Sequence, residues 1–426
     1  MSTLVLVVSA AYYLISVAYL VFTYNRYKIC PEFIWAVLQL VMFYGIGQKV
    51  NYQNSSDVKL VCLYLLALIC FVIMSGITNR MHAPQKNLTK IPSPENYQIR
   101  SFYMWAVLGA SVLICGLYFV RGGGNVFLES LRAMLTGEDY STKYGRMGLL
   151  HVAGTGYVYQ LRIAIIPCLT LYYIFLKRNR AVSVVLAILA IIFMLGSGQR
   201  GGFISFMCVC IVAVYYWQTG GNELETEEKK RSTARTYFVI LAVALSLFAL
   251  TTIMNGRVSS GGSVSQAIIK RIFSDNQSTA IQAFRYVDAQ PCQYGRDWYL
   301  MLRKLLPRAP SYMSLATRVF ALMKGGSTDG TAPPCIWTSA YYNFGVPGVI
   351  LVSSVLGAAT AKLHSSYTDR TCDELTTILY AGKSFLLGYW LVDGPVTLVN
   401  NGFVALCLLD LLMNRIAFRV RFKIKR

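Results

Sequence analysis

Four arginines stand where an apolar chain should avoid charge. Arg200 lies in "MLGSGQRGGFISFM", between two apolar runs and among glycines 196, 198, 201 and 202. Arg162 lies in "YVYQLRIAII", about one to two turns inside an apolar run, where a cation is costly unless it faces water or an anion. Arg146, in "KYGRMGLLH", precedes that run, and Arg308, in "KLLPRAPSYM", sits between prolines after an amphipathic stretch. Guanidinium presents a rigid, bidentate fork and stays charged, which suits phosphate oxygens. Acting together, the four would grip an anion such as pyrophosphate at a membrane boundary. A lone boundary arginine has a plainer explanation: its stem covers apolar surface while its head reaches water. Two features of the Arg200 turn favour a ligand. Its glycines allow close backbone approach, and the turn opens a helix whose first amides attract anions.

A second dense region is "GGSTDGTAPPCIWTSAYYNFGVPGVIL", where Asp329 precedes Tyr341, Asn343 and Gly345. It reads equally as a loop with an aromatic interface belt or as a sugar site of stacking faces, carboxylate and amide. Asp329 is the first candidate for a general base on a hydroxyl, with Glu138, Asp139 and His151 as alternatives; each is otherwise a solvated loop residue. His82 and His364 fall in loops expected to be cytoplasmic. Lys383, Asn400 and Asn401 either line a cavity or join helices.

The elements that must position these groups are membrane helices. The chain has 426 residues, 55% hydrophobic, with a mean hydropathy of +0.48. Runs of roughly sixteen to twenty-three apolar residues recur, close to the length that crosses a bilayer. About eleven spans are expected, at 3–24, 32–47, 60–78, 102–120, 156–176, 181–196, 202–217, 237–254, 338–360, 375–392 and 396–413. The first is read as a retained span, because no cleavage-site pattern follows it. The expected fold is an all-α polytopic membrane protein, a single integral domain over 1–426.

Net charge is +21, from 40 Lys and Arg against 19 Asp and Glu. Basic flanks that set topology explain part of the excess, and an anionic partner would explain the rest. Nucleic acid is not expected as a partner, because the basic residues scatter among short loops. The tail "NRIAFRVRFKIKR" carries six basic groups and no acid, and four basic loops fall on its side, which is read as cytoplasmic. Residues 121–155 and 255–337 then lie outside. The second is a large loop between spans 8 and 9 in which "SQAIIKRIF", "STAIQAFRYV", "RDWYLMLRKLL" and "YMSLATRVFALMK" read as interfacial helices. Cysteines show no metal-binding spacing, so no metal site is expected. Cys292 and Cys335 are the two on the outer side and either pair or stay free.

These segments resemble a family. "LGSGQRGGF" resembles the small-residue, Arg-Gly turn of bacterial O-antigen polymerases and ligases. "LLPRAPSYM" looks like the Pro-Arg segment of Wzy-type polymerases, and the glycine-rich loop with "YYNFGVPG" looks like their final-loop signature. Glutamine stands where a serine commonly precedes the arginine. No histidine occurs in the large loop, where ligases typically use one, and this favours a polymerase. The resemblance implies a membrane glycosyltransferase of the C type, inverting and independent of metal or other cofactor. It would extend undecaprenyl-pyrophosphate-linked repeat units for lipopolysaccharide at the periplasmic face of the bacterial inner membrane. Its partners would be those lipid-linked glycans, membrane lipids and a chain-length regulator. Arg200, Arg308 and Asp329 would be catalytic, and Arg146, Arg162, His151, Tyr341 and Asn343 would bind substrate. The alternatives are an O-antigen ligase-like transferase and a flippase or transporter, although the repeated halves expected of a transporter are absent.

Overall fold

Long apolar segments must satisfy their own backbone groups, and this chain does so with helices. A computed structural model describes residues 2–81, 94–138, 148–149, 152, 154–176, 179–198, 201–219, 269–306, 311–328, 330–368 and 373–416, with scattered positions between 238 and 246. In chain order the helices are α1 (Ser2–Tyr27), α2 (Pro31–Gly47), α3 (Ser55–Met81), α4 (Pro94–Arg121), α5 (Val126–Thr136), α6 (Thr155–Gln160), α7 (Ile166–Phe175), α8 (Arg180–Leu195) and α9 (Gly201–Thr219). There follow α10 (Asn276–Asp288), α11 (Arg296–Arg303), α12 (Leu315–Met323), α13 (Ile336–Thr368), α14 (Glu374–Gly388), α15 (Val396–Asn400) and α16 (Phe403–Asp410). Wider π-helical turns occupy Leu161–Ile165, Arg271–Asp275 and Leu411–Ile416. Among the described residues the only β pairing is an isolated antiparallel bridge, Cys335 to Val392.

The expectation of eleven spans needs correction. Five described helices are long and apolar enough to cross a membrane: Thr3–Tyr27, Ser55–Met81, Arg100–Arg121, Thr155–Phe175 and Ile336–Thr368. Pro31–Gly47, Arg180–Leu195, Gly202–Trp217 and Phe403–Asn414 are apolar but shorter. At 1.5 Å per residue, a 16-residue helix such as α8 reaches ~24 Å, short of a ~30 Å hydrocarbon layer. The expected tenth span is α14, 15 residues long and carrying Lys383. Most of the expected eighth span lies outside the described residues. The build is that of a helical membrane protein, with five candidate spans among the described residues.

Two compact units emerge, each made of three separate stretches. The first comprises Met1–Gln85, Ser265–Ser366 and Leu387–Thr397. In it Tyr12 stacks on Phe43 with ring centres 3.8 Å apart, and Trp35 stacks on Phe71 at 3.6 Å. Gly357 of α13 meets the Phe71 carbonyl so closely that a Cβ would collide with it. α10 is fixed by Arg285, whose Nε and Nη2 each donate to the Asp57 carboxylate at 2.7 Å. Nearby, Ala283, Val287, Leu315, Val319, Ala332 and Tyr342 form a buried cluster. α13 is broken at Gly345 (φ 64°, ψ −154°), a conformation that only glycine takes readily. The Cys335–Val392 bridge is extended by Ile336 N donating to Leu391 O and Asp393 N to Pro334 O, both at 2.9 Å. Cys292 and Cys335 are free thiols, the first on the Asn343 carbonyl and the second against Thr338 Oγ1.

The second unit comprises Lys86–Val264, Tyr367–Leu386 and Leu398–Arg426. Tyr367 stacks on Tyr380 at 3.9 Å, and Tyr216 meets both rings edge-on. Lys383 Nζ pairs with Asp410 at 2.6 Å, Asn414 donates to the same carboxylate at 2.5 Å, and Arg100 joins Asn414 to Asp373. Asn401 donates to Leu386 O at 3.1 Å and accepts from Phe403 N at 3.0 Å. Lys383 and Asn401 therefore join helices, whereas Asn400 is exposed.

The contact at Gly357 can be tested against an open position. Gly357→Ala should cost about 1–3 kcal/mol, because backbone cannot yield to the new methyl group. Gly116→Ala, in α4 with nothing within 4 Å of the added carbon, should gain roughly 0.5–1 kcal/mol of helix stability. Thermal unfolding of the detergent-solubilised protein measures both, and opposite signs are expected.

Candidate functional site

Arg162 occupies the centre of the π-helical turn Leu161–Ile165, between α6 and α7. Pro167 supplies the local cause. It has no N–H to donate to the Ile163 carbonyl four residues back, and its ring would clash there; widening the turn relieves both. Gly154, with φ of 81°, starts α6. Above it Leu149 O accepts from Tyr118 Oη at 3.0 Å and from Thr155 Oγ1 at 3.2 Å, tying this segment to the end of α4.

The Arg162 side chain is 3% exposed. Its guanidinium carbon lies 5.1 Å from the centre of the Tyr159 ring, and Tyr118 and Cys115 are in electrostatic reach. Nε and Nη1 are buried and make no hydrogen bond. The ring face offsets a part of the desolvation, on the order of 0.5–2 kcal/mol. A buried cation without an anion costs several times that. Such a group is poised to accept an anion, and phosphate oxygens match its fork.

The glycine turn meets the helical turn that carries this arginine. A Cβ on Gly202 would lie 2.6 Å from Ile163 Cγ2 and 3.7 Å from Tyr159 Oη, so glycine lets α9 begin against the π turn. Gly196 is pressed against Phe119 and Asn125 in the same way, while Gly198 has φ of 67°. Thus Gly196 and Gly202 serve the protein's own packing, and Gly198 the turn. Between them Ser197 is buried with an unpartnered Oγ. Arg200 itself lies outside the described residues, as do Arg146, His151, Asp139, Arg308, Asp329 and His82. Glu138 follows the end of α5, its N–H on Ala133 O. His364 is buried in α13, its ring edge-on to Tyr27 at 5.3 Å.

Tyr341 and Asn343 belong to the first unit and are engaged by the chain itself. Asn343 is fully buried: its Oδ1 accepts from Trp298 N at 3.2 Å and its Nδ2 donates to Ser339 O at 3.0 Å. Its carbonyl accepts from Gly295 N at 3.1 Å. Tyr341 Oη donates to Asp288 Oδ1 at 3.2 Å, on a carboxylate that Ser56 and Lys59 also reach. Burial opposes the ionisation of Asp288, but the Lys59 and Ser56 hydrogen bonds outweigh it and hold its pKa below the ordinary value.

Sequence reasoning passed over several groups in these surroundings. Tyr159 was signalled by its position three residues before Arg162, on the same helix face. Tyr118, on another helix, carried no signal. Nor did the neighbouring acids Asp297 and Asp393. Asp297 is 1% exposed, with Oδ1 accepting from Tyr312 Oη at 2.6 Å and Oδ2 unpartnered. Asp393 is buried with φ of 58°, and the Gly394 after it packs on the Trp298 indole. Burial pushes Asp393 up to about 6; the Gly394 amide opposes this and the Asp297 charge adds to it.

No protein-family model matches the chain, and neither does a curated protein or a solved structure.

Asp393 makes a pH-dependent contribution whose sign is fixed. Its folded pKa stands above the unfolded value of about 3.9, so the folded state binds the proton more tightly. That stability is fully present below about pH 4 and is lost as pH rises through about 6. Asp393→Asn removes the titration and suits a left-handed backbone. Its melting temperature relative to the parent should rise between pH 4 and pH 8; a constant difference would show that Asp393 does not titrate in this range.

Proposed function

We propose that the chain is a membrane glycosyltransferase that polymerises lipid-pyrophosphate-linked oligosaccharide repeat units. The observation that carries this reading is Arg162: buried in a candidate membrane helix, with two unpartnered guanidinium nitrogens, beside the glycine turn that contains Arg200. A departing lipid pyrophosphate gathers negative charge near the membrane boundary. A preorganised guanidinium there stabilises the charge as it develops, without first having to reorganise. In this reading Arg162 and Arg200 hold the pyrophosphate, helped by Arg146. Departure of the pyrophosphate drives transfer of the growing chain to a hydroxyl of the incoming unit, so no sugar nucleotide is required.

The finer features of the family resemblance belong to the same proposal. They are the C-type architecture, an outer loop over 255–337, and placement in the bacterial inner membrane with the site facing the periplasm. Arg308 and the base Asp329 keep the roles their motifs suggest, and a chain-length regulator is the expected protein partner. A ligase-like transferase or a flippase is the competing outcome.

The test is complementation of a deletion strain, with surface lipopolysaccharide separated on a gel. Deletion should remove the long ladder and leave core plus a single repeat unit. Arg162→Ala and Arg200→Ala should fail to restore the ladder while the protein still inserts, and lysine at either position should restore little because the fork is lost. Arg308→Ala and Asp329→Asn in the same assay test their assigned roles. A normal ladder from the Arg162 and Arg200 variants would end the clamp reading. Loss of the single repeat unit on deletion would point to a ligase or flippase.

A further inference from the structure

A groove runs between α1 and α3 in the first unit, remote in sequence from the residues of the proposed reaction. Its walls are single stripes at helical spacing: Ile15, Ala18, Phe22 and Arg26 on one side, Val72, Gly76 and Arg80 on the other. The buried bond between Tyr19 Oη and Ser75 Oγ, 2.9 Å long, sets the register at the floor. Because the two helices run in the same direction, the basic last turns that carry Arg26 and Arg80 meet at one end. The cavity is about 470 Å³.

What it can accept follows from what it leaves unmatched. The polar groups along its floor are already engaged: Tyr19 with Ser75, Thr23 with the Tyr19 carbonyl, and Asn79 with Glu32. Walls and floor therefore offer little to a polar ligand. Arg26 and Arg80, in contrast, have no carboxylate partner among the described residues; Arg26 lies only against the Phe22 and Tyr27 rings. Phe22, which lines the groove, and Ile73 and Ile77 of α3 are exposed, as side chains facing hydrocarbon would be. Small residues create the space, and a Cβ on Gly76 would meet nothing within 4 Å. An apolar channel ending at two unpaired cations fits an amphiphile with an acyl chain and an anionic head.

We propose that the α1–α3 groove binds one anionic glycerophospholipid, its acyl chain along Ala18 and Gly76 and its phosphate between Arg26 and Arg80. The proposal rests on the membrane-spanning build and not on the proposed reaction.

Native mass spectrometry of the detergent-purified protein, titrated with phosphatidylglycerol and phosphatidylcholine of the same chain length, provides the test. The parent should retain phosphatidylglycerol preferentially. The double variant Arg26→Gln/Arg80→Gln should lose that preference, by about 5-fold for each arginine and roughly 30-fold for both. Gly76→Leu leaves both charges in place and fills the groove, so it should reduce retention of both lipids; the unchanged melting temperature expected at this open position separates that from misfolding. Free glycerol phosphate should not compete, because it lacks the chain. Undiminished phosphatidylglycerol binding by the double variant or by Gly76→Leu would overturn the proposal. So would competition by free glycerol phosphate, or stronger retention of a polyprenyl phosphate than of phosphatidylglycerol.

Discussion

A guanidinium that cannot shed its charge, held inside an apolar helix with no anion beside it among the described residues, is the constraint around which the second unit is arranged. Its cost is set by solvation, and the surrounding residues reduce it only partly. Tyr159 presents a ring face to it, while Nε and Nη1 have no hydrogen-bond partner. The local backbone is adapted to the same position. Pro167 opens the turn that carries Arg162, and Gly202 removes the side chain that would keep α9 from approaching that turn. A protein selected for stability alone would place leucine there. The persistence of the charge is the physical reason to seek a counter-ion for it.

Two other charged networks show the contrast. Lys383, Asp410, Asn414, Arg100 and Asp373 form a series in which each member has a partner, and Asp57 takes both arms of Arg285. Breaking such a pair strands a buried charge, which explains their tight closure without invoking a ligand. Buried charge by itself is thus a poor guide to function. The unmatched donor is the informative one, at Arg162 and, near the surface, at Arg26 and Arg80.

Much of the helical build was legible because apolar runs are a one-dimensional signal, and the cost of Arg162 could be read from its neighbours alone. Span number was less so. Hydropathy marks α8 as apolar but does not reveal how few residues it can commit to a crossing. The role of Asn343 was hidden for another reason: its amide joins Ser339 of its own helix to Trp298 of α11, which is distant in sequence. Lys383 read equally as a cavity residue or a helix contact, and Asp410 opposite it decides for the second. Asp297 and Asp393 are far apart in the chain, and only the packing of Gly394 on Trp298 makes them neighbours.

The pairing of Pro334–Ile336 with Leu391–Asp393 has a consequence for synthesis. Both segments of this small clasp belong to the first unit, yet one of them is synthesised well after the other. α1 to α3 must enter the bilayer long before that and wait there with the faces meant for α10 and α13 still bare. During this interval lipid, or an insertase that shields half-built helices, has to stand in for the missing segments. A chain truncated before residue 387 would keep most of its helices and still be a substrate for quality-control proteolysis.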